Sequence, residues 1–383
     1  MRIGIEAQRI FRNNKHGMDY VVLQEILQLQ QIDHENEYFV FVKPGPDRCV
    51  TSSDNVHVVE LNMPSYPLWE QVALPRAARK AGVELLHCTS NTAPIWCDIP
   101  LVLTLHDIIF LEPRDKQNKS LYQNMGWLYR RLVVPRILHK CRRIITVSNF
   151  EKDNIIKKLG IAKERMAMIY NGYNEWFRPL NQKGQVHDSG KNQATCPIDS
   201  ERPIFFLGNT DPKKNTERTL VAYSKYLVRS EVKRPLLMAD LDKEYLNGII
   251  SRNHIENIRE KIVMPGYIQN KDLPAIYNNA FAFLYTSLRE SFGIPLLEAM
   301  ACGTPVITSN TSSMPEIGGE KAILINPENA DEIADMLIRL ETDETFYQQQ
   351  KEWGLERASL FSWRNTAQAL LQLYEDVCSE IVK

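Results

Sequence analysis

No charge of either sign dominates this sequence. Across 383 residues, 46 lysines and arginines face 47 aspartates and glutamates, for a formal net charge of −1 at pH 7. That near-balance disfavours nucleic acid as the main partner, because neutralising phosphates requires a strong basic excess. Cysteine is sparse and scattered: seven residues, at positions 49, 88, 97, 141, 196, 302 and 378, never form a CxxC pair. This argues against a disulfide frame or a cysteine zinc site and fits a reducing compartment. No apolar run approaches the roughly 20 residues that span a bilayer. The start MRIGIEAQRI reads as a short strand rather than the charged-then-apolar pattern of a signal peptide. Neither half opens on GxGxxG after its first strand, which disfavours a nicotinamide dehydrogenase. A cytoplasmic protein is the expectation.

The length suits two domains of ordinary size. Short β-rich runs alternate with segments of helical period, the pattern of an α/β fold with parallel sheets covered on both faces. In the first half, strands are predicted at residues 2–7, 38–42, 56–61, 84–88, 101–105, 143–147 and 166–170. Helices are predicted near 18–31, 68–81, 121–139 and 149–159, the last opened by Ser148 as its N-cap. Residues 179–203 are polar and without apolar periodicity, and read as a linker. Strands then resume at 204–207, 235–239, 261–264, 281–285, 305–308 and 322–325. The domains expected are therefore 1–178 and 204–360, with a last helix in 361–383 free to cross back to the first. Open α/β sheets bind ligands outside the carboxyl ends of their strands.

One stretch carries the chemistry: RESFGIPLLEAMACGTPVITSN, residues 289–310. Its acids, Glu290 and Glu298, stand eight positions apart. They could be a catalytic pair, two acceptors of sugar hydroxyls, or the charged rim of a helix. The strand before them ends at Thr286, so Glu290 falls on the loop that follows. Pro295 suits a first helical turn, which puts Glu298 in the opening turns of that helix. Backbone amides around Phe292, Gly293 and Ile294 then lie at a helix start and favour an anion. An ionised carboxylate only accepts hydrogen bonds, so it can take both donors of a diol. A phosphate seat between two diol receptors matches a sugar joined through a diphosphate to a nucleoside.

The stretch from Glu290 to Glu298, with SFGIPLLEAMACGTPVI around it, resembles the signature of the retaining glycosyltransferases of family 4. The resemblance implies the GT-B fold, two facing Rossmann-like domains with a central cleft. It gives Glu290 the donor sugar hydroxyls and Glu298 the ribose diol. FFLGNTDPKKN, residues 205–215, resembles the family's turn after the first strand of the nucleotide domain. Gly208 and Lys214 hold matching positions there, and Lys214 would neutralise the departing phosphate. Many members carry arginine directly after that glycine; here it is Asn209. TLHDIIFLEP, residues 104–113, resembles the His-Asp turn of the acceptor domain and would put His106 near the reacting sugar. TVSNF and IYNGYNEWF, from positions 146 and 169, match further landmarks. The first glycine loop is looser: HGMDY keeps one glycine, Gly17, as a candidate for close approach to donor phosphate.

The activity implied is transfer of a hexose, with mannose from GDP-mannose ranked first and UDP-sugars second, to a glycan or lipid-linked glycan of a surface polysaccharide. No motif carboxylate is placed as a nucleophile, so same-face attack by the acceptor hydroxyl is favoured over a covalent intermediate. The resemblance implies no metal and no cofactor beyond the donor. Rivals are a UDP-sugar 2-epimerase of the same fold and a non-catalytic two-lobed sugar-binding protein. Residue by residue, plainer roles compete: Glu298 as a helix-start acid, Lys214 as a surface lysine, His106 as a buried histidine bonded to backbone. Asp107 reads as a turn cap; Thr308 and Ser309 read equally as turn residues or phosphate ligands. RRLVVPRILHKCRR, residues 130–143, mixes basic with apolar residues and could lie against anionic lipid, although Pro135 interrupts it. Peripheral contact with the inner face of the cytoplasmic membrane is therefore a partner expectation beside the donor and the acceptor.

Overall fold

A computed structural model describes residues 1–112, 121–180, 202–239 and 241–382. The chain forms two compact units, Met1–Gly172 with the segment from Trp363 onward, and Tyr173–Ser362. The first holds a seven-stranded parallel sheet: β1 (Arg2–Glu6), β2 (Glu37–Val42), β3 (Val56–Glu60), β4 (Leu85–Cys88), β5 (Leu101–Thr104), β6 (Cys141–Thr146) and β7 (Met166–Met168), in the order β3-β2-β1-β4-β5-β6-β7. Helices cover both faces, so strands such as LLHC and LVLT are buried along their whole length. Helix α1 (Gly17–Ile32) opens on His16, whose amide donates to Asp19 Oδ2 at 3.0 Å. Helix α2 (Leu121–Ile137) runs through Pro135 and stops two residues later.

The single helix predicted over 68–81 is divided. A π-helical turn, Trp69–Ala73, precedes an α-helix, Leu74–Lys80. Pro75 lies in the first turn of the second piece, where proline is tolerated but cannot continue an earlier helical ladder. The C-terminal helix Trp363–Val382 completes the first unit. Its Ala367, Leu370, Tyr374 and Val377 join the core built on Ile3, Ile5 and Leu85.

The second unit has six parallel strands, β8 (Ile204–Phe206), β9 (Leu236–Met238), β10 (Ile262–Val263), β11 (Ala282–Tyr285), β12 (Val306–Ser309) and β13 (Ile323–Ile325), in the order β10-β9-β8-β11-β12-β13. The strand order reverses between β8 and β11, and that switch point is where such sheets leave a ligand crevice. Helices α3 (Thr216–Arg229), α4 (Leu273–Asn279) and α5 (Ile294–Ala301) surround it. The unit begins at Tyr173, earlier than the boundary expected after 178, because the intervening residues pack on α4. Phe177 meets the Tyr277 ring at 6.0 Å, and Asn278 Nδ2 donates to Arg178 O at 3.0 Å. Of the linker expected at 179–203, residues 181–201 lie outside the described residues.

Candidate active site

Two loops meet at the carboxyl ends of β8 and β11. After β8, a Cβ at Gly208 would come within 2.3 Å of the Phe206 ring, so glycine is what lets the chain pass there. Asn209 is no free substitute for the arginine that many family members carry at this position. Its Oδ1 accepts from the Asp211 amide at 2.8 Å and shapes the turn. Asp211 in turn caps the short 3-10 turn Pro212–Lys214. Asn215 takes a left-handed φ of 58°, a conformation asparagine tolerates better than most residues. Its Nδ2 lies 3.1 Å from Thr286 O and 2.7 Å from Pro327 O, tying the β8 loop to the β11 loop. The Leu288 amide adds a bond of 2.7 Å to Lys213 O.

After β11, the loop is held from below by serines. The Glu290 amide donates to Ser312 Oγ at 3.1 Å, and Ser313 Oγ lies 3.0 and 3.1 Å from the Glu290 and Phe292 carbonyls. Gly293 opens α5 with φ 104°, a conformation that glycine adopts without penalty. A Cβ there would also meet Met314 Cε at 2.6 Å. Among the described residues the Gly293 and Ile294 amides donate to no carbonyl, and Pro295 has no amide to offer. The side chain of Phe292 is buried 6.1 Å from the Phe361 ring, so only its backbone faces the site. Thr308 Oγ1 donates to Tyr285 O at 2.9 Å and Ser309 Oγ to Ser287 O at 2.6 Å; both hydroxyls brace the loop.

Lys214 and Glu290, 76 residues apart in sequence, form an ion pair at 2.6 Å with side-chain exposures of 19% and 14%. Such a charge-assisted bond fixes both groups in place. The Lys214 ammonium also sits 5.3 Å from the Tyr285 ring centroid. Burial, and then the neighbouring Glu290 charge, hold the Tyr285 hydroxyl well above its ordinary pKa. Glu298, on α5, is desolvated: burial raises its carboxyl from 4.5 to about 8, against an opposing contribution from the Tyr277 hydroxyl. In the free protein at neutral pH this acid keeps its proton, whereas the sequence treats it as a ready carboxylate. The assembly is an ammonium, a carboxylate, unclaimed amides at a helix start and an enclosed second acid, all at the switch point.

Two family models match the sequence in tandem: Glycosyltransferase Family 4 over residues 16–176 and Glycosyl transferases group 1 over residues 191–357. The chain belongs to the group 1 glycosyl transferases. Among its relatives is the serotype-specific mannosyltransferase WbdA of Escherichia coli, 29% identical over 231 residues, which is 60% of this chain and 28% of that protein. The chain thus spans less than a third of that relative's length. The O-antigen chain mannosyltransferase B of Escherichia coli is 27% identical over 285 residues, 72% of this chain and 70% of that protein. Among solved structures, Anabaena Alr3699/HepE in complex with UDP-glucose superposes with a TM-score of 0.73 at 16% identity, over 98% of this chain and 100% of that one. At that identity the likeness is one of fold, the GT-B fold with its two parallel-sheet Rossmann-like domains.

In this family member, eight of the sequence-predicted site residues share one unit: Gly208, Asn209, Lys214, Glu290, Phe292, Gly293, Ile294 and Glu298. Gly17 and His106 belong to the other. Gly17 begins α1, and a Cβ there would touch nothing within 4 Å, so the backbone does not require glycine. His106 follows β5 and is buried; its amide donates to Asn91 Oδ1 at 2.7 Å. Its Nε2 lies 3.0 Å from Thr89 O, an acceptor that calls for a proton on that nitrogen, and burial lowers the imidazole's pKa. That leaves Nδ1 as a lone-pair acceptor. Asp107 caps a turn through the Ile109 amide at 3.0 Å. Thr89, whose carbonyl meets this histidine, donates its hydroxyl to Glu6 at the end of β1 at 3.2 Å. Glu70, on the π-helical turn, accepts from Tyr66 at 2.7 Å and also pairs with Thr92 and Tyr129.

The sequence missed Tyr285, Asn215, Ser312 and Ser313 as parts of the site. Asn215 had a signal, an asparagine ending a turn before a helix; the others act through long-range neighbours. It also passed over Asp240-Leu241-Asp242 beyond β9. Asp240 lies outside the described residues, and Asp242 Oδ1 accepts from the Tyr245 amide at 2.8 Å as an N-cap. Among the described residues no cluster of three or more His, Cys, Asp or Glu side chains could hold a metal.

Proposed function

We propose that this protein is a retaining hexosyltransferase that binds a nucleotide diphosphate sugar in the Tyr173–Ser362 unit, mannose from GDP-mannose ranking ahead of UDP-sugars. The observation that carries this reading is the 2.6 Å Lys214–Glu290 pair beside the open amides of Gly293 and Ile294, at the β8/β11 switch point. A diphosphate would take those amides and the ammonium, the sugar hydroxyls Glu290, and the ribose diol Glu298. Support for mannose comes from the two Escherichia coli mannosyltransferase relatives; the alternative sugar has the Anabaena neighbour bound to UDP-glucose. In the proposed reaction the acceptor oxygen bonds to the anomeric carbon on the face the diphosphate leaves. The carbon–oxygen bond to phosphate breaks, and the acceptor's proton passes to the departing phosphate oxygen. Lys214 stabilises the charge that develops there. The acceptor is a glycan or lipid-linked glycan. A thermal-shift panel of nucleotide sugars tests the donor. GDP-mannose should raise Tm by mass action, and a panel in which no nucleotide sugar raises it refutes the reading.

Peripheral membrane contact is the partner proposal. On α2, Met125, Leu128 and Leu132 are exposed to 63%, 53% and 49% along one helical ridge. Val133, Val134 and Ile137 face the core, and exposed Arg131, Arg136, Lys140 and Arg142 accompany the ridge. Apolar insertion with basic flanks suits an anionic lipid surface. No helix among the described residues is long and apolar enough to cross a membrane. Sedimentation with anionic but not zwitterionic vesicles is expected; equal failure with both removes the proposal.

A further inference from the structure

Tyr277 is the residue of the second unit whose chemistry the site described so far leaves unused. It is fully buried on α4, with its ring fixed by Phe177, Phe205 and Phe283 at centroid distances of 6.0, 5.4 and 5.1 Å. Its backbone carbonyl is held by Thr304 Oγ1 at 2.6 Å. The hydroxyl at the end of this rigid ring makes no hydrogen bond of normal geometry to any described residue. Buried hydroxyls are rarely left so, and an orphan in a native fold calls for a functional explanation. The group it lies against is Glu298.

We propose that Tyr277 is a positioning residue for the nucleotide: when a ribose diol arrives, its hydroxyl donates to one oxygen of Glu298 and leaves the other to accept from the diol. This rests on the donor site proposed above. An acid that keeps its proton in the free protein cannot accept two hydroxyls and the phenol together, so binding releases that proton. Tyr277 is the group that favours release, because its hydroxyl acts to lower the carboxyl's pKa while burial raises it. The other titratable groups facing Glu298 are Tyr285 from β11 and Cys302 at the end of α5; burial holds both protonated. The Arg178 backbone meets Cys302 and brings no charge to the carboxyl.

The test is calorimetric binding of GDP, UDP, ADP and CDP, and of the 2′,3′-dideoxy form of whichever binds, to the full chain, to Tyr277→Phe and to Glu298→Gln. Tyr277→Phe should bind the ribonucleotide about 10-fold more weakly, the loss expected of one hydrogen bond to a charged group. It should bind the dideoxy form as the wild type does. Tm of the free variant should be unchanged or higher, since an unpartnered hydroxyl is removed. The inflection of affinity against pH should move upward. Wild-type affinity in Tyr277→Phe, or an equal loss for both nucleotides with a lower Tm, overturns the inference while a weakened Glu298→Gln keeps the donor site. Unaltered binding by Glu298→Gln, or no binding of any nucleotide by the wild type, overturns both.

Discussion

Replacing Glu298 by glutamine should stabilise the free protein, and do so only at higher pH. The carboxyl's native pKa of about 8 stands above its ordinary 4.5. Below pH 4.5 native and unfolded chains both hold the proton, and the native state enjoys its full stability. Between 4.5 and about 8 the unfolded chain has released it while the native chain retains it, so native stability falls as pH rises. Above pH 8 the loss is complete. At about 1.36 kcal/mol per pH unit the ceiling is on the order of 4–5 kcal/mol. Glu298 keeps some solvent access, which brings the expected loss to roughly 2 kcal/mol. Glutamine mimics the protonated acid and does not titrate, so the difference between variant and wild type isolates this one group. Glu25, also raised to about 8 by burial, is common to both proteins and cancels. For a unit of this size the variant's Tm advantage should be near zero at pH 4.5 and roughly 4–8 °C at pH 9. Scanning calorimetry across that range measures it. A variant less stable than wild type at pH 9, or an advantage independent of pH, refutes the reasoning. A gain in stability coupled to loss of nucleotide binding is what a desolvated functional acid should show.

Three further outcomes follow from the same geometry. Lys214→Ala should lower kcat by about 10²–10³-fold, the scale of removing one stabiliser of developing charge, in a radiolabelled transfer assay, while circular dichroism stays that of the wild type. Gly293→Ala places a methyl 2.6 Å from Met314 Cε at φ 104°; the strain of roughly 1–3 kcal/mol should lower Tm and weaken nucleotide binding together. Asn215→Ala removes the bonds to Thr286 O and Pro327 O, so about 1–3 kcal/mol of stability should go in urea unfolding, and kcat/KM with it, as the Lys214 turn loosens.

The strands were legible because parallel strands buried on both faces leave unbroken apolar runs such as IFF in β8 and AFLY in β11. The helix start at Gly293 and Pro295 was legible for a local reason, proline suiting a first helical turn. From it the place of Glu290 on a loop and Glu298 on a helix followed. What the sequence could not carry is tertiary. The Lys214–Glu290 pair joins residues 76 positions apart, and the proton on Glu298 depends on enclosure by groups from other elements. Thr308 and Ser309 could be assigned to loop carbonyls only once β11 lay beside β12. The division at Tyr173 depends on Phe177 finding Tyr277, a contact no local pattern announces. For His106 the structure shows the plainer of the two roles, a buried histidine bonded to backbone.

The most direct measurement is a crystal structure of the chain soaked with GDP-mannose or UDP-glucose. Diphosphate oxygens within hydrogen-bond distance of the Gly293 and Ile294 amides and of Lys214 Nζ, with the ribose diol on Glu298, are the predicted result. A nucleotide sugar bound in ordered density away from Lys214, Glu290 and Glu298 would contradict it.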